Sequence, residues 1–197
     1  MDIAERLTLS LNVYAKKEGL EYEKLKLGIE IFIINISKIF LMILVASSVG
    51  TIKGTFTIFF AFGMLRTYSF GLHANTSLKC TIVSLIIFVF TPYIIHLQEL
   101  YVTNSLICIA FIFIIFLLYK YAPADTEARP ILGTENRRRL KNNSLTIALF
   151  IFTLCFLIQD AEIKTLLFFG MVFQTVSILP ITYKILKRRL NNYENFE

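Results

Sequence analysis

With 197 residues, 56% of them hydrophobic, 19 Phe, 4 Pro and a mean hydropathy of +0.66, the chain is far more apolar than a water-soluble domain of its length. No stretch is long and polar enough for a separate soluble domain, so the reading is one integral membrane domain over residues 1–197. The net charge of +6 would suit nucleic acid, but its Lys and Arg fall where membrane topology needs them, and no nucleic-acid partner is expected.

The first twenty residues place Ile3, Ala4, Leu7, Leu11 and Tyr14 at helical spacing, with Glu5, Asn12 and Lys16 opposite. This predicts an amphipathic helix, lying in the membrane interface or on a partner helix. Asp2, Glu5 and Arg6 precede any apolar core, unlike a signal peptide, so the spans themselves are expected to direct insertion. A bilayer core about 30 Å thick takes about 20 helical residues. Six segments answer to that: Leu27–Val49, Thr51–Leu65, Thr81–Leu97, Ser105–Tyr121, Leu145–Ile158 and Leu166–Ile185. The fold class is therefore all-α, a polytopic membrane helical bundle of about six spans plus the N-terminal amphipathic helix. Asn35 and Lys38, one turn apart in the first span, either face the bundle interior or serve packing and the interface. Pro92 and Pro180 are expected to kink their helices.

Between the second and third spans lies RTYSFGLHANTSLKC, Arg66 to Cys80. A thiolate attacks a carbonyl, and a nearby imidazole can take the thiol's proton and return it to the leaving amine. Cys80 and His73 are the minimum pair for that chemistry. In one straight helix the two would share a face but sit about 10 Å apart, too far for proton transfer. The chain must therefore bend between them, and Asn75, Thr76 and Ser77 are good turn and N-cap residues. Cys80 then falls in the first turn of the third span, where the helix N-terminus and Lys79 place positive potential beside the sulfur. Cys108 and Cys155 lie inside apolar runs and read as small buried hydrophobes. The three cysteines have no metal-ligand spacing and form no even disulfide set.

Further on, residues 120–144 form a basic loop with Arg129, Pro130, Arg137, Arg138, Arg139 and Lys141, and the tail carries Lys184, Lys187, Arg188 and Arg189. By the positive-inside rule both are cytoplasmic, while the stretches around Glu99 and Asp160 face outward. Six spans then put both termini and the 66–80 loop in the cytoplasm of a multi-pass cell-membrane protein. The basic cluster can also attract an acidic peptide, in competition with membrane lipids.

The combination R-x4-G-x-H-A-x5-C (Arg66, Gly71, His73, Ala74, Cys80), APADTEARP from Ala122 to Pro130, and the basic cluster after it resembles the accessory gene regulator B (AgrB) family, over essentially the whole chain. These are membrane-embedded cysteine endopeptidases that mature quorum-sensing peptides. Many relatives carry paired glycines before the His; here Phe70 stands in the first position. The resemblance implies that Cys80 is the nucleophile and His73 its general base, with Arg66 and Gly71 shaping the site. It also implies a precursor substrate (AgrD-like) with an amphipathic leader, a central signal segment and an acidic C-terminal tail. Cleavage would leave the signal segment as a thioester on Cys80, from which it closes to a thiolactone or lactone, with neither cofactor nor metal. The resemblance further implies a homodimer. Asn75, Ser77 and Asp125 are candidates for a third catalytic residue, and Asp125 or Glu127 for orienting His73 or pairing with an Arg. The competing readings are a peptide export channel without proteolytic activity and a structural membrane subunit.

Overall fold

The computed structural model describes residues 3–15, 18–72, 76–127 and 130–195. It is helical nearly throughout: α1 Ile3–Ala15, α2 Gly19–Ser48, α3 Ile52–Ser69, α4 Ser77–Leu85, α5 Thr91–Gln98, α6 Asn104–Tyr121, α7 Thr134–Leu157, α8 Ala161–Ser177 and α9 Pro180–Ile185, with a 3-10 turn at Asn192–Asn195. No strand occurs among the described residues, apart from one isolated parallel bridge between Phe70 and Ala124. By contact density the chain forms two compact units, Met1–Val45 and Ala46–Glu197. In the first, α1 leaves Leu7 and Leu11 exposed, the apolar side expected of an interfacial helix.

Four helical segments are long and apolar enough to cross a membrane: Gly19–Ser48, Ser77–Gln98, Asn104–Tyr121 and Thr134–Leu157. The six expected spans all fall on helices, but two do not reach that threshold alone. Helix α3 carries Lys53 and Arg66 within its length, and α8 has 17 residues. Both are sheltered by the rest of the second unit, which lets them bury Thr55, Thr165 and Gln174. By contrast α6 buries Ile107, Ile114 and Leu118 on one side and exposes Ile109, Ile112, Phe113 and Phe116 on the other, the lipid-facing pattern.

Helices α3 and α8 run parallel, since Lys53 near the start of α3 meets Asp160 at the start of α8, while Arg66 near one end meets Gln174 near the other. Their backbones approach closely because Gly170 offers no side chain: a Cβ there would lie 2.7 Å from Cβ of Ala61 and 2.9 Å from the Ile58 carbonyl oxygen. Leu65, Leu118, Ile151, Leu167, Met171 and Tyr183 continue the core around this contact. Phe111 of α6 stacks on Phe152 of α7 at 3.9 Å between centroids.

Three boundaries differ from the sequence expectation. The irregularity expected at Pro92 is a π turn just before it, Ile86–Phe90. Pro92 lacks the N–H that would bond back one helical turn, and the widened turn instead bonds the Thr91 N–H to the Ile86 carbonyl. The expected last span, Leu166–Ile185, is not one kinked helix but two, α8 and α9. Pro180 excludes a helical conformation from Leu179, which is extended at φ −71°, ψ 142°, and then opens the new helix. Finally, Arg137, Arg138, Arg139 and Lys141 lie in the first turns of α7 rather than in a loop.

Candidate active site

The Arg66–Cys80 stretch is narrower than a loop from end to end. Arg66 to Ser69 complete α3, and Ser77 to Cys80 open α4. Between them the chain reverses at Phe70 (φ 56°, ψ −135°) and Gly71 (φ 116°). Two successive positive φ values are natural for glycine pairs; Phe70 adopts the same backbone at a cost of about 1–2 kcal/mol. Gly71 is required twice over, because a Cβ there would also lie 2.6 Å from Oγ of Ser177.

Backbone bonds tie this turn to two distant segments. The Gly71 N–H donates to the Ala124 carbonyl at 2.9 Å, the Ala124 N–H to the Ser69 carbonyl at 2.9 Å, and the Leu72 N–H to the Ser177 carbonyl at 3.4 Å. The centre of the arrangement is Gln174 of α8, fully buried. Its Nε2 donates to Oγ of Ser69 at 2.8 Å and to the Phe70 carbonyl, and its Oε1 accepts from Arg66 Nη1 at 3.2 Å and Ser177 Oγ at 3.1 Å. Every donor and acceptor site of the amide is used, which fixes its orientation. Arg66 Nη2 donates to the carbonyls of Leu72 at 2.7 Å and Gly71 at 3.3 Å. The guanidinium thus clamps the turn, lies 5.5 Å from the ring centroid of Phe62, and stands within electrostatic reach of Cys80.

Cys80 is half-buried in the first turn of α4. Thr76 is the N-cap, its hydroxyl accepting from the Lys79 N–H at 3.3 Å, and the Cys80 N–H donates to the Thr76 carbonyl at 3.0 Å. The sulfur therefore stands at the positive end of a helix. Ser77, the first residue of α4, is exposed. His73, Asn75 and Arg129 lie outside the described residues.

The segment after α6 supports the turn from the other side. Tyr183 donates its hydroxyl proton to the Asp125 carbonyl at 2.8 Å. The Asp125 carboxylate, almost completely buried, accepts from the backbone N–H groups of Asn192 at 3.0 Å and Tyr193 at 2.9 Å and from Nδ2 of Asn192. It holds the C-terminal turn. Glu127 pairs with Arg188 at 3.2 Å. In the basic cluster, Arg137 lies 3.8 Å from the centroid of the Tyr193 ring and donates to the Ile131 carbonyl, while Arg138 and Arg139 are exposed. Pro130 is half-buried.

Gln174, Ser177, Tyr183 and Asn192 did not emerge from the sequence. The available signal was Gln174 itself, an amide in the middle of an apolar span, where a polar side chain needs a partner.

The accessory gene regulator B family model matches residues 2–178. The chain is 43% identical over 195 residues to an AgrB-like protein of Clostridium acetobutylicum, covering 99% of this chain and 92% of that one. It is 42% identical over 176 residues to an AgrB-like protein of Listeria monocytogenes, 89% of this chain and 85% of the other. With the accessory gene regulator protein B of Staphylococcus intermedius the identity is 27% over 177 residues, 90% of this chain and 92% of that one. No solved structure matches the chain significantly.

Proposed function

Because this chain belongs to the accessory gene regulator B family, we propose that it is a membrane-embedded cysteine endopeptidase that matures a quorum-sensing peptide precursor of the AgrD type. Cys80 is the nucleophile and His73 the general base. The base takes the thiol proton, and the thiolate attacks the carbonyl carbon between the signal segment and the acidic tail. The C–N bond breaks, the imidazolium returns its proton to the departing amine, and the signal segment remains as a thioester on Cys80. A Cys or Ser side chain within that segment then attacks the same carbonyl carbon. The new C–S or C–O bond closes a thiolactone or lactone ring, and the Cys80 thiol is regenerated. Thioester exchange is nearly balanced in energy, so closing a thiolactone needs no nucleotide.

The observation that carries this reading is the place of Cys80 in the first turn of a helix, beyond a chain reversal that Arg66 and Gln174 hold. Gly71 and Arg66 hold the turn that delivers the chain to His73. Exposed Arg138 and Arg139 at the start of α7 face the acidic tail electrostatically, whereas Arg137 secures the chain's own C-terminal segment. Catalysis takes place on the cytoplasmic side, a topology that the distribution of Lys and Arg supports.

The test is cleavage of a candidate precursor by full-length protein in membranes. Cys80→Ala abolishes cleavage while the protein stays folded and inserted; undiminished cleavage by that variant contradicts the mechanism. Charge reversal at Arg138 and Arg139 raises KM more than it lowers kcat, and the effect shrinks in high salt.

A further inference from the structure

Beyond α9 the chain turns back on the bundle. It reverses at Lys187 and Asn191, both with positive φ (51° and 60°), and reaches the 3-10 turn Asn192–Asn195. That turn is seated on the segment after α6, and three fastenings hold it there. One oxygen of the buried Asp125 carboxylate accepts from the Asn192 N–H at 3.0 Å and from its Nδ2 at 3.4 Å, and the other accepts from the Tyr193 N–H at 2.9 Å. Glu127 accepts from Arg188 Nη1 at 3.2 Å and from the Arg189 N–H at 3.4 Å. The Tyr193 ring lies against the Arg137 guanidinium of α7, 3.8 Å from it to the centroid.

The segment so held is the one that meets the candidate active site. Ala124, the neighbour of Asp125, uses both of its backbone groups on the turn after α3: its N–H donates to the Ser69 carbonyl and its carbonyl accepts from the Gly71 N–H, each at 2.9 Å. A buried carboxylate is tolerated only while donors surround it. If the C-terminal turn comes away, Asp125 is drawn toward water and Ala124 moves with it.

We propose that residues 188–193 are a strap that positions the active site: by holding Asp125 they hold Ala124 against the Ser69–Leu72 turn, from which the chain runs directly to His73. Asp125, Asn192 and Tyr193 are then positioning residues that set the approach of His73 to Cys80. The inference rests on the endopeptidase reading above. It differs from a lid that shields Arg137 from the precursor's acidic tail, because a strap speeds the reaction and a lid slows it.

The experiment uses full-length protein in lipid nanodiscs with an AgrD-type precursor. Tyr193→Ala and Asp125→Ala each lower kcat roughly tenfold or more, as a small misplacement of reacting groups does. Neither raises KM, because Arg138 and Arg139 are untouched. Tyr193→Phe, which keeps the ring on Arg137, recovers the rate that Tyr193→Ala loses. A second readout needs no turnover: alkylation by iodoacetamide at neutral pH, without precursor. His73→Ala slows the labelling of Cys80, and the two strap variants slow it toward the same rate. Buried Cys155 stays unlabelled where the core is intact, and Tyr193→Ala decides the matter if Asp125→Ala opens the core. Unchanged kcat and unchanged Cys80 labelling in Tyr193→Ala overturn the strap and leave the endopeptidase standing. Faster cleavage by Tyr193→Ala overturns it equally, in favour of the lid. If His73→Ala cleaves and labels as the wild type does, the endopeptidase reading fails and the strap's role with it.

Discussion

The parallel pair α3 and α8 is fastened differently at its two ends. Where both helices begin the fastenings are exposed: Lys53 bonds to Asp160 at 3.4 Å, while Lys164 ties α8 to Asn104 of α6 at 3.1 Å and Glu162 ties it to His96 of α5 at 3.0 Å. Where they end a buried amide, a guanidinium and a serine close a saturated network on the Ser69–Leu72 turn. Exposed ion pairs contribute little to stability, because water and salt screen them. A buried network contributes through what its loss would leave unpaired. The saturated end is the one that carries Arg66 and the turn at Phe70 and Gly71, as expected if that turn must be held in place while the other end only aligns helices.

Breaking the Gln174 end has the larger effect. Gln174→Leu leaves the Phe70 carbonyl and part of the Arg66 guanidinium buried without partners and leaves the Ser69 hydroxyl only its bond to the Leu65 carbonyl, at a cost of about 3 kcal/mol, read as a lowered melting temperature in detergent. Precursor cleavage falls by at least 100-fold, and Gln174→Glu, which keeps an acceptor for Arg66, recovers part of it. Gly71→Ala follows, at about 2 kcal/mol, because the new Cβ meets Ser177 in a backbone conformation that L residues disfavour. At the other end Asp160→Asn costs about 1 kcal/mol or less and leaves cleavage unchanged.

Asp160 also gives its end of the pair a pH signature. The N–H groups of Ile163 and Glu162 and the Lys53 ammonium hold its carboxyl below the ordinary value of 3.8. Its folded pKa is depressed, so its contribution is present above that value and is lost as the pH falls through the depressed one. A melting series across the acid range shows this loss in the wild type and not in Asp160→Asn. The smallest effect is favourable: Phe70→Gly relieves the positive φ at that position and raises stability by up to about 1 kcal/mol.

The same contrast separates what was legible in the sequence from what was not. Cys80 at the start of a helix follows from Thr76 and Ser77 as local capping residues, and the helices follow from apolar runs. These are signals carried within a few residues. Gln174 bonds to residues more than 100 positions away in the chain, and no local pattern reports such a partner. The Asp125 carboxylate is likewise bonded to the backbone of Asn192 and Tyr193, 67 and 68 positions away. The basic cluster read as a loop because its charge masked the helical run that Thr134 begins. The strain at Phe70 is visible only in the backbone, where Phe70 and Gly71 both have positive φ.

The most direct measurement is the mass of Cys80-containing peptides after brief incubation of the full-length protein with a candidate precursor at low temperature. A thioester adduct is expected on Cys80, equal in mass to the signal segment without its acidic tail, absent from Cys80→Ala and removed by hydroxylamine. Cleaved precursor with Cys80 unmodified throughout, and equal cleavage by Cys80→Ala, would contradict a nucleophilic role for that sulfur.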